Sequence, residues 1–299
     1  MTKRFKIEGI MAAMVTPFTK GGDYVDFDKV GPLANRLLKQ GAHGLFPCGT
    51  TSEGMLMSPE ERREVAQEVM RTVPKKTPVI VHTGGFDTAT TIELCCHARD
   101  IGAVAAAIVT PFYYGYDDTA LFNYFKTVAR AVDGFPIMMY NIPACARNVL
   151  HPQLVIRIAE SEENIVGVKD SAGIMTGLTQ LLGNAPKGFH VINGTDDYGY
   201  QALLAGCPAV VSGLSNVVCE IYASVYNNVR KGNLKKAWKD QVRLEKAARV
   251  FKYGQLAAAF KEGLRLRGFD AGDVRPPQRQ LSAAEKRALA EGLQELGMI

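Results

Sequence analysis

Side chains able to do amine and acid–base chemistry stand where apolar runs of this sequence end. Lys169 closes the run "IVGVK", whose β-forming residues without polar alternation are typical of a strand covered on both faces. A buried ammonium is costly unless it is paired or loses its proton, and the neutral amine is a nucleophile. Asp170 follows directly, so a solvated lysine at a strand end is the alternative. This stretch alone leaves both interpretations open.

Eight short apolar runs, separated by amphipathic helical patterns, are predicted to be strands. They cover residues 9–16, 44–48, 78–83, 105–110, 137–141, 165–169, 190–194 and 209–212. One helix is predicted to begin after Ser58, an N-cap residue followed by proline. The alternation predicts a parallel sheet, and the count of eight favours an α/β fold of the (β/α)8 TIM barrel type over a doubly wound open sheet.

The chain after the eighth run has helical patterning and no strand signal. A helix over 216–230 completes the barrel, so we predict a barrel domain over residues 1–230 that carries the active site. Residues 231–299 are predicted to form a C-terminal helical lobe, with its clearest helices at 233–252 and 281–297. Ser282 is the predicted N-cap of the last helix.

Composition excludes several classes of function. The 299 residues carry a formal net charge of +5, and the basic residues are dispersed, which disfavours a nucleic-acid partner. The sequence shows no membrane-spanning run and no signal-peptide core, so we expect a cytoplasmic protein without a membrane partner. The six cysteines and five histidines lack the spacing of metal ligands or of a disulfide framework. No metal site is therefore predicted.

The predicted strand ends carry most of the remaining reactive side chains. The second run ends in "GTTSEG", the fourth in "TPFYYGY", the fifth in "YNIPA" and the seventh in "NGTDD". The active site of a (β/α)8 barrel lies at the carboxyl ends of its strands, so these motifs are expected to converge with Lys169. Their convergence favours a catalytic role for the lysine.

Three of the motifs together resemble the family of dihydrodipicolinate synthase and N-acetylneuraminate lyase, the class I pyruvate-dependent aldolases. They are "GTTSEG", "YNIP" and "GVKDSAG", and their order and spacing are specific although each is common alone. The resemblance runs from Gly9 to about Ser215. It implies that Lys169 forms a Schiff base with pyruvate or another small 2-oxo acid, and that a carbon–carbon bond is made or broken through the enamine. It implies no cofactor.

The resemblance also implies roles at the matching positions. Tyr140 is similar to the family's proton shuttle, since a phenol can both donate and accept a proton. Thr50 and Thr51 resemble the residues that bind the substrate carboxylate. Tyr113, with its neighbour Tyr114 as the alternative, resembles the tyrosine that completes a Thr–Tyr–Tyr relay in a neighbouring subunit. The chain is therefore expected to be a homo-oligomer, a dimer or a tetramer.

Residues after the sixth and seventh strands resemble positions that contact the variable part of the substrate. They are Ser171, Gly194, Thr195 and Asp196. Asp196 and Asp197 are alternatively caps of the following helix, and we favour that role for Asp197.

The sequence departs from the family at Ser52, where a glycine is usual, and at Cys145; Glu53 is retained as an expected structural partner. Synthases of dihydrodipicolinate carry at the position of Cys145 an arginine that grips aspartate semialdehyde, and the nearest arginine here is Arg147. Arg147 either rebuilds that grip or is a solvated loop residue. We therefore favour a 2-keto-3-deoxy sugar acid or a related substrate over 4-hydroxy-tetrahydrodipicolinate synthase activity. Two more functions stay open on the same fold, a Schiff-base dehydratase or deaminase and a non-catalytic 2-oxo-acid sensor.

Overall fold

The computed structural model describes residues 6–132, 134–254 and 256–299, in which strands and helices alternate. The strands are β1 Gly9–Ala12, β2 Gly44–Leu45, β3 Ile80–His82, β4 Ala105–Val109, β5 Ile137–Asn141, β6 Ile165–Asp170, β7 His190–Asn193 and β8 Ala209–Ser212. The helices are α1 Phe27–Lys39, α2 Pro59–Thr72, α3 Thr88–Asp100, α4 Asp118–Ala131, α5 Pro143–Ala146, α6 Pro152–Ala159, α7 Met175–Asn184, α8 Gly199–Ala205, α9 Ser215–Arg230, α10 Leu234–Val250, α11 Leu256–Leu266 and α12 Ala283–Glu295. All eight predicted strands are present, and β5 and β8 have the predicted bounds. The separate helix α11 was not predicted.

One compact unit, called the first unit below, comprises Pro78–Thr195 and Gln201–Val211 together with residues 6–8. Its strands run parallel in the order β3-β4-β5-β6-β7-β8. Most of their residues are buried and apolar, as in a parallel sheet covered on both faces. The register between β5 and β6 pairs Tyr140 with Lys169. Parallel strands end at the same edge of a sheet, so the two side chains are neighbours by topology.

The second unit comprises Gly9–Thr77, Asp196–Tyr200 and Ser212–Ile299. In it β1 pairs in parallel with β2, and the backbone N–H of Ala13 donates to the carbonyl of Ser212. Helix α1 packs against α2, and α9 packs against α10 and α11. The side chain of Asn216 accepts from the N–H of Val15 at 2.9 Å and donates to the carbonyl of Ala13 at 2.7 Å, which ties α9 to the chain after β1.

Helix ends follow the predicted capping residues. The side chains of Ser58 and Ser282 each accept a hydrogen bond from the backbone N–H of the third residue of their helix. The side chains of those residues, Glu61 and Glu285, accept from the backbone N–H of the serine, which completes a capping box at each helix. Helices α10 to α12 belong to the second unit. The predicted division into a barrel over 1–230 and a lobe over 231–299 remains a prediction. Within the described ranges, no helix is both long and apolar enough to cross a bilayer.

Candidate active site

Lys169 lies near the carboxyl end of β6 and is buried in the first unit. Only 5% of the residue is exposed, which contradicts the solvated alternative considered for it. Its Nζ lies 3.6 Å from the centroid of the Tyr140 ring, and Tyr140 is itself 2% exposed. A charged amine over the face of an aromatic ring is attracted to that ring. The structure thus brings the two predicted reactive groups together.

Asp170 is buried beside Lys169 and is held by neighbours of its own. Asn141 donates to Asp170 Oδ1 at 2.8 Å, and the N–H of Ala172 donates to the same atom at 3.2 Å. Burial raises the pKa of Asp170, and the hydrogen bonds from Asn141 and Ala172 oppose that shift. Asn141 also accepts from the N–H of Leu150 at 3.0 Å. These hydrogen bonds fix the ends of β5 and β6, the two strands that carry Tyr140 and Lys169.

The end of β7 approaches Lys169 through a glycine. A β-carbon at Gly194 would lie 2.0 Å from Ser171 Oγ and 3.0 Å from Lys169 Cε, so a side chain fits there only if these neighbours move. Ser171 Oγ donates to the carbonyl of Gly194 at 3.2 Å. The N–H of Thr195 donates to Asn193 Oδ1 at 3.1 Å, which fixes the following backbone. Gly194 and Ser171 therefore lie beside the lysine, and their contact with the substrate remains a prediction.

Tyr113 and Tyr114 lie in the loop between β4 and α4. They are 73% and 66% exposed, and their rings meet edge to face with centroids 5.1 Å apart. The backbone of Tyr113 has a φ of 79°, a conformation that costs a residue with a side chain about 1–3 kcal/mol. The structure therefore leaves both predicted candidates for the shared tyrosine exposed, and Tyr113 carries the strained backbone.

Cys145 and Arg147 lie at the end of the short helix α5 and just after it. Cys145 as a whole residue is exposed, but partial burial of its thiol group raises the pKa of that group, and the charge of Lys169 opposes this shift. The guanidinium of Arg147 lies against Gly115, and its Nη1 donates to the carbonyl of Tyr113 at 3.4 Å. Arg147 thus contacts the loop that carries Tyr113.

Two buried polar residues in the first unit were missed by the sequence analysis. The ring of His82, at the end of β3, meets the Tyr140 ring edge to face with centroids 5.7 Å apart. Asn148 makes side-chain bonds to the loop that carries Tyr113. His82 stands near the end of a predicted strand, and this position could have identified it from the sequence. Asn148 follows an irregular turn, and no feature of the sequence identifies it.

Thr50 and Thr51 belong to the second unit, in the turn after β2. The N–H of Gly54 donates to the carbonyl of Gly49 at 3.0 Å, and the N–H of Glu53 donates to the carbonyl of Thr50 at 3.1 Å. A β-carbon at Gly54 would lie 2.0 Å from the carbonyl oxygen of Cys48, so the turn requires glycine there. Ser52, the departure from the family, is buried and donates to the carbonyl of Met14.

Glu53 fastens this turn to the C-terminal part of the second unit. Its Oε1 lies 2.7 Å from Lys261 Nζ, and the two side chains are 0% and 3% exposed. The N–H of Arg275 donates to Glu53 Oε2 at 2.8 Å, and Lys261 also donates to the carbonyl of Asp273 at 2.7 Å. Desolvation lowers the pKa of Lys261 to about 8, although Glu53 acts in the opposite direction. The structural role predicted for Glu53 fits this pair.

Asp196 makes structural bonds within the second unit. Its Oδ2 accepts from the N–H of Leu214, which precedes α9, at 3.3 Å. The side-chain amide of Gln241 donates to the carbonyls of Asp196 and Asp197 at 3.0 and 3.3 Å. Asp196 therefore supports the start of α9. The described ranges contain no group of three or more His, Cys, Asp or Glu residues placed to hold a metal ion.

The model of the dihydrodipicolinate synthetase family matches residues 6–296. The chain is 33% identical to an uncharacterised DapA-like lyase of Halobacterium salinarum, over 98% of this chain and 95% of the relative. It is 30% identical to the 4-hydroxy-tetrahydrodipicolinate synthase of Methanopyrus kandleri, over 99% and 98%.

Two solved structures are similar over almost their whole length. One is a prophage protein of the dihydrodipicolinic acid synthase family from E. coli K12 in complex with pyruvate, with a TM-score of 0.93, 29% identity, and coverage of 98% of this chain and 99% of that one. The other is dihydrodipicolinate synthase from Aquifex aeolicus, with a TM-score of 0.92, 27% identity and the same coverage. These matches confirm the predicted (β/α)8 TIM barrel and the family resemblance. The chain belongs to the dihydrodipicolinate synthetase family and is a class I, Schiff-base-forming lyase acting on pyruvate or a related 2-oxo acid.

Proposed function

We propose that the protein is an aldolase that cleaves a 2-keto-3-deoxy sugar acid, or a related hydroxylated 2-oxo acid, through a Schiff base on Lys169. The observation that carries this proposal is the buried amine held 3.6 Å from the centre of the Tyr140 ring. The neutral amine adds to the ketone, and the carbinolamine loses water to give an iminium. The iminium accepts the electron pair of the breaking C3–C4 bond, and the aldehyde leaves. Protonation of the enamine and hydrolysis then release pyruvate and the free lysine.

The roles of the other residues rest on the family resemblance. Tyr140 moves protons between the amine, the carbinolamine and the leaving aldehyde. Thr50 and Thr51 bind the substrate carboxylate, and Thr50 joins Tyr113 of a neighbouring subunit in the proton relay.

The variable end of the substrate is assigned to four residues. They are Ser171, Gly194, Thr195 and Asp196. The placement of Ser171 and Gly194 beside Lys169 supports this assignment.

The preference for a hydroxylated second substrate rests on the chain after β5. Cys145 is small and uncharged at the position of the arginine that grips aspartate semialdehyde, and Arg147 donates to a loop carbonyl. The alternative is 4-hydroxy-tetrahydrodipicolinate synthase activity, which the name of the Methanopyrus kandleri relative favours. Dehydration or deamination of a 2-oxo acid through the same Schiff base is a third candidate reaction.

Borohydride trapping tests the nucleophile. Pyruvate with borohydride is expected to add one reduced pyruvyl group to Lys169, located by peptide mass spectrometry, and Lys169→Ala should lose both adduct and turnover. Lys75→Ala, at an exposed lysine, is the matched control and should keep both. Labelling that survives in Lys169→Ala would contradict the proposed nucleophile.

A substrate panel tests the reaction. kcat/KM is compared for pyruvate release from 2-keto-3-deoxy acids, sialic acid and 4-hydroxy-2-oxoglutarate, and for condensation of pyruvate with aspartate semialdehyde. Efficient condensation that collapses in Arg147→Ala would show that the arginine grip has moved to Arg147, and the preference for sugar acids would be wrong.

Assembly, compartment and domain division are also part of the proposal. A homodimer or homotetramer is expected because Tyr113 acts in a neighbouring site, and sedimentation velocity measures it. The six cysteines, all of which lie in the described residues, form no disulfide bond, as is usual in a reducing compartment, and this supports a cytoplasmic location. Limited proteolysis near residue 230 tests the division into a barrel over 1–230 and a lobe over 231–299.

A further inference from the structure

Asn148 connects three points of the loop that carries Tyr113. Its side-chain amide donates to the carbonyl of Pro111 at 2.6 Å and to the carbonyl of Tyr114 at 2.8 Å. Its Oδ1 accepts from the N–H of Tyr116 at 2.9 Å. The residue is 6% exposed, so these bonds lie largely out of water and are costly to break. One side chain thus holds the backbone on both sides of Tyr113.

The backbone of Asn148 is fixed as firmly as its side chain. Its N–H donates to the carbonyl of Ala146 at 2.7 Å, and its carbonyl accepts from Thr110 Oγ1 at 3.2 Å. The first bond closes a γ-turn around Arg147, whose φ of 62° and ψ of −42° belong to the rare and strained form of that turn. Strain of this kind persists only where the surrounding structure imposes it. Here the strained turn at Arg147 places the side-chain amide of Asn148 against the loop that carries Tyr113.

The Tyr113 loop needs such a hold. The residues between β4 and α4 form no regular helix or strand, and Tyr113 is 73% exposed, so packing of its own ring does not fix it. Its φ of 79° is also unfavourable for a residue with a β-carbon. Without external bonds the loop can relax to other conformations, and the phenol would move with it.

We propose that Asn148 is a positioning residue that holds Tyr113 in its working orientation. The inference rests on the proposed function in one respect, namely that the Tyr113 phenol takes part in the proton relay. Asn148 acts on turnover through Tyr113, and it leaves the formation of the pyruvate adduct on Lys169 intact.

A double-mutant cycle tests this role. Asn148→Ala is expected to lower kcat by about 10- to 100-fold, with pyruvate KM changed by less than about 3-fold, because a displaced catalytic group costs turnover more than binding. In the Tyr113→Phe background the same substitution should lower kcat by less than about 2-fold, since the group that it positions is gone. Asn164→Ala is the matched control, because the Asn164 amide also donates to two carbonyls, those of Ala129 at 2.9 Å and Phe135 at 3.2 Å. It should lower the melting temperature comparably and leave kcat unchanged.

Asn148→Asp covers the case in which Asn148→Ala does not fold. It keeps the size of the side chain and the acceptor for the N–H of Tyr116, but it loses both donated bonds, so the same cycle should show the same coupling to Tyr113. An equal loss of kcat in the presence and absence of the Tyr113 phenol would overturn the proposal. So would full turnover of both Asn148 variants beside an impaired Tyr113→Phe.

Hydrogen exchange separates this inference from the proposed relay. Full activity of Tyr113→Phe would refute the relay itself, and the loop is then the readout. The backbone N–H groups of residues 112–116 should exchange faster in Asn148→Ala than in the wild type and in Asn164→Ala. Unchanged exchange there would overturn the positioning role.

Discussion

Removing one partner of the buried Glu53–Lys261 pair is expected to destabilise the protein by about 3–5 kcal/mol. The two side chains are 0% and 3% exposed and 2.7 Å apart, so Glu53→Gln leaves an ammonium out of water without its anion. Glutamine keeps the shape and an acceptor for the N–H of Arg275. An unfolding entropy of about 2.1 cal/mol/K per residue over 299 residues gives roughly 0.6 kcal/mol/K, so the melting temperature should fall by about 5–8 °C.

The double variant shows whether the loss comes from the unpaired charge. Glu53→Gln combined with Lys261→Met removes both charges and keeps the acceptor for Arg275. Replacing a buried ion pair by side chains of similar volume is often neutral or stabilising. The double variant should therefore melt within about 2 °C of the wild type, or above it.

The cost of Glu53→Gln should also depend on pH. Burial lowers the pKa of Lys261 from its ordinary 10.5 to about 8, and Glu53 opposes that shift. The unfolded chain therefore binds more protons than the folded protein between these values, so this group makes stability rise with pH there. Without Glu53, the pKa of Lys261 in the folded protein falls further. The pH range in which stability rises with pH then begins at a lower pH. Asp273 and Arg275, the other charges that act on Lys261, are the same in both proteins. The deficit of the variant should shrink as pH rises from about 6 to about 8.

Thermal unfolding followed by circular dichroism at three pH values measures these effects. Glu60→Gln is the matched control, since Glu60 pairs with Arg63 at the surface at 3.1 Å and such pairs contribute less than about 1 kcal/mol. A drop for Glu53→Gln no larger than that of the control would refute the reasoning. A double variant no more stable than either single variant would refute it too.

Three further predictions concern the first unit. Tyr140→Phe should lower kcat by about 10²- to 10⁴-fold while pyruvate is still trapped by borohydride. Mixing it with Tyr113→Phe should restore activity after subunit exchange, and no recovery would contradict the shared site. Gly194→Ala should abolish turnover, because its β-carbon would lie 2.0 Å from Ser171 Oγ. Gly183→Ala, whose β-carbon would have no atom within 4 Å, should be active. Equal activities would show that the residues around Gly194 can move to accommodate a methyl group. Arg147→Gly should be more stable in urea than Arg147→Ala by about 1–2 kcal/mol because of the φ of 62°, and equal midpoints would argue against strain.

The order of elements could be predicted because its signals are local. Apolar runs and helical periodicity reflect contacts within a few residues, and Ser58 and Ser282 act on N–H groups three positions away. The bounds of β1 were predicted too long for a non-local reason. Residues 13–16 are as buried as the strand, but the N–H of Val15 donates to the side chain of Asn216 rather than to a neighbouring strand. Most of helix α11 is buried, including the charged Lys261 and Glu262, so its burial does not follow the apolar pattern on which the prediction of helices rested.

What the sequence determined by itself was the chemistry, since an amine at the end of an apolar strand among characteristic motifs indicates a Schiff-base enzyme. Only the tertiary structure decided which partners hold the reactive groups. The amine meets the Tyr140 ring through the register of two strands, and Asn148 reaches a loop 37 positions earlier in the chain. Glu53 bonds to Arg275 across 222 positions. Such polar contacts leave no periodic pattern in the sequence, because each depends on one side chain and on a backbone that distant packing brings to it.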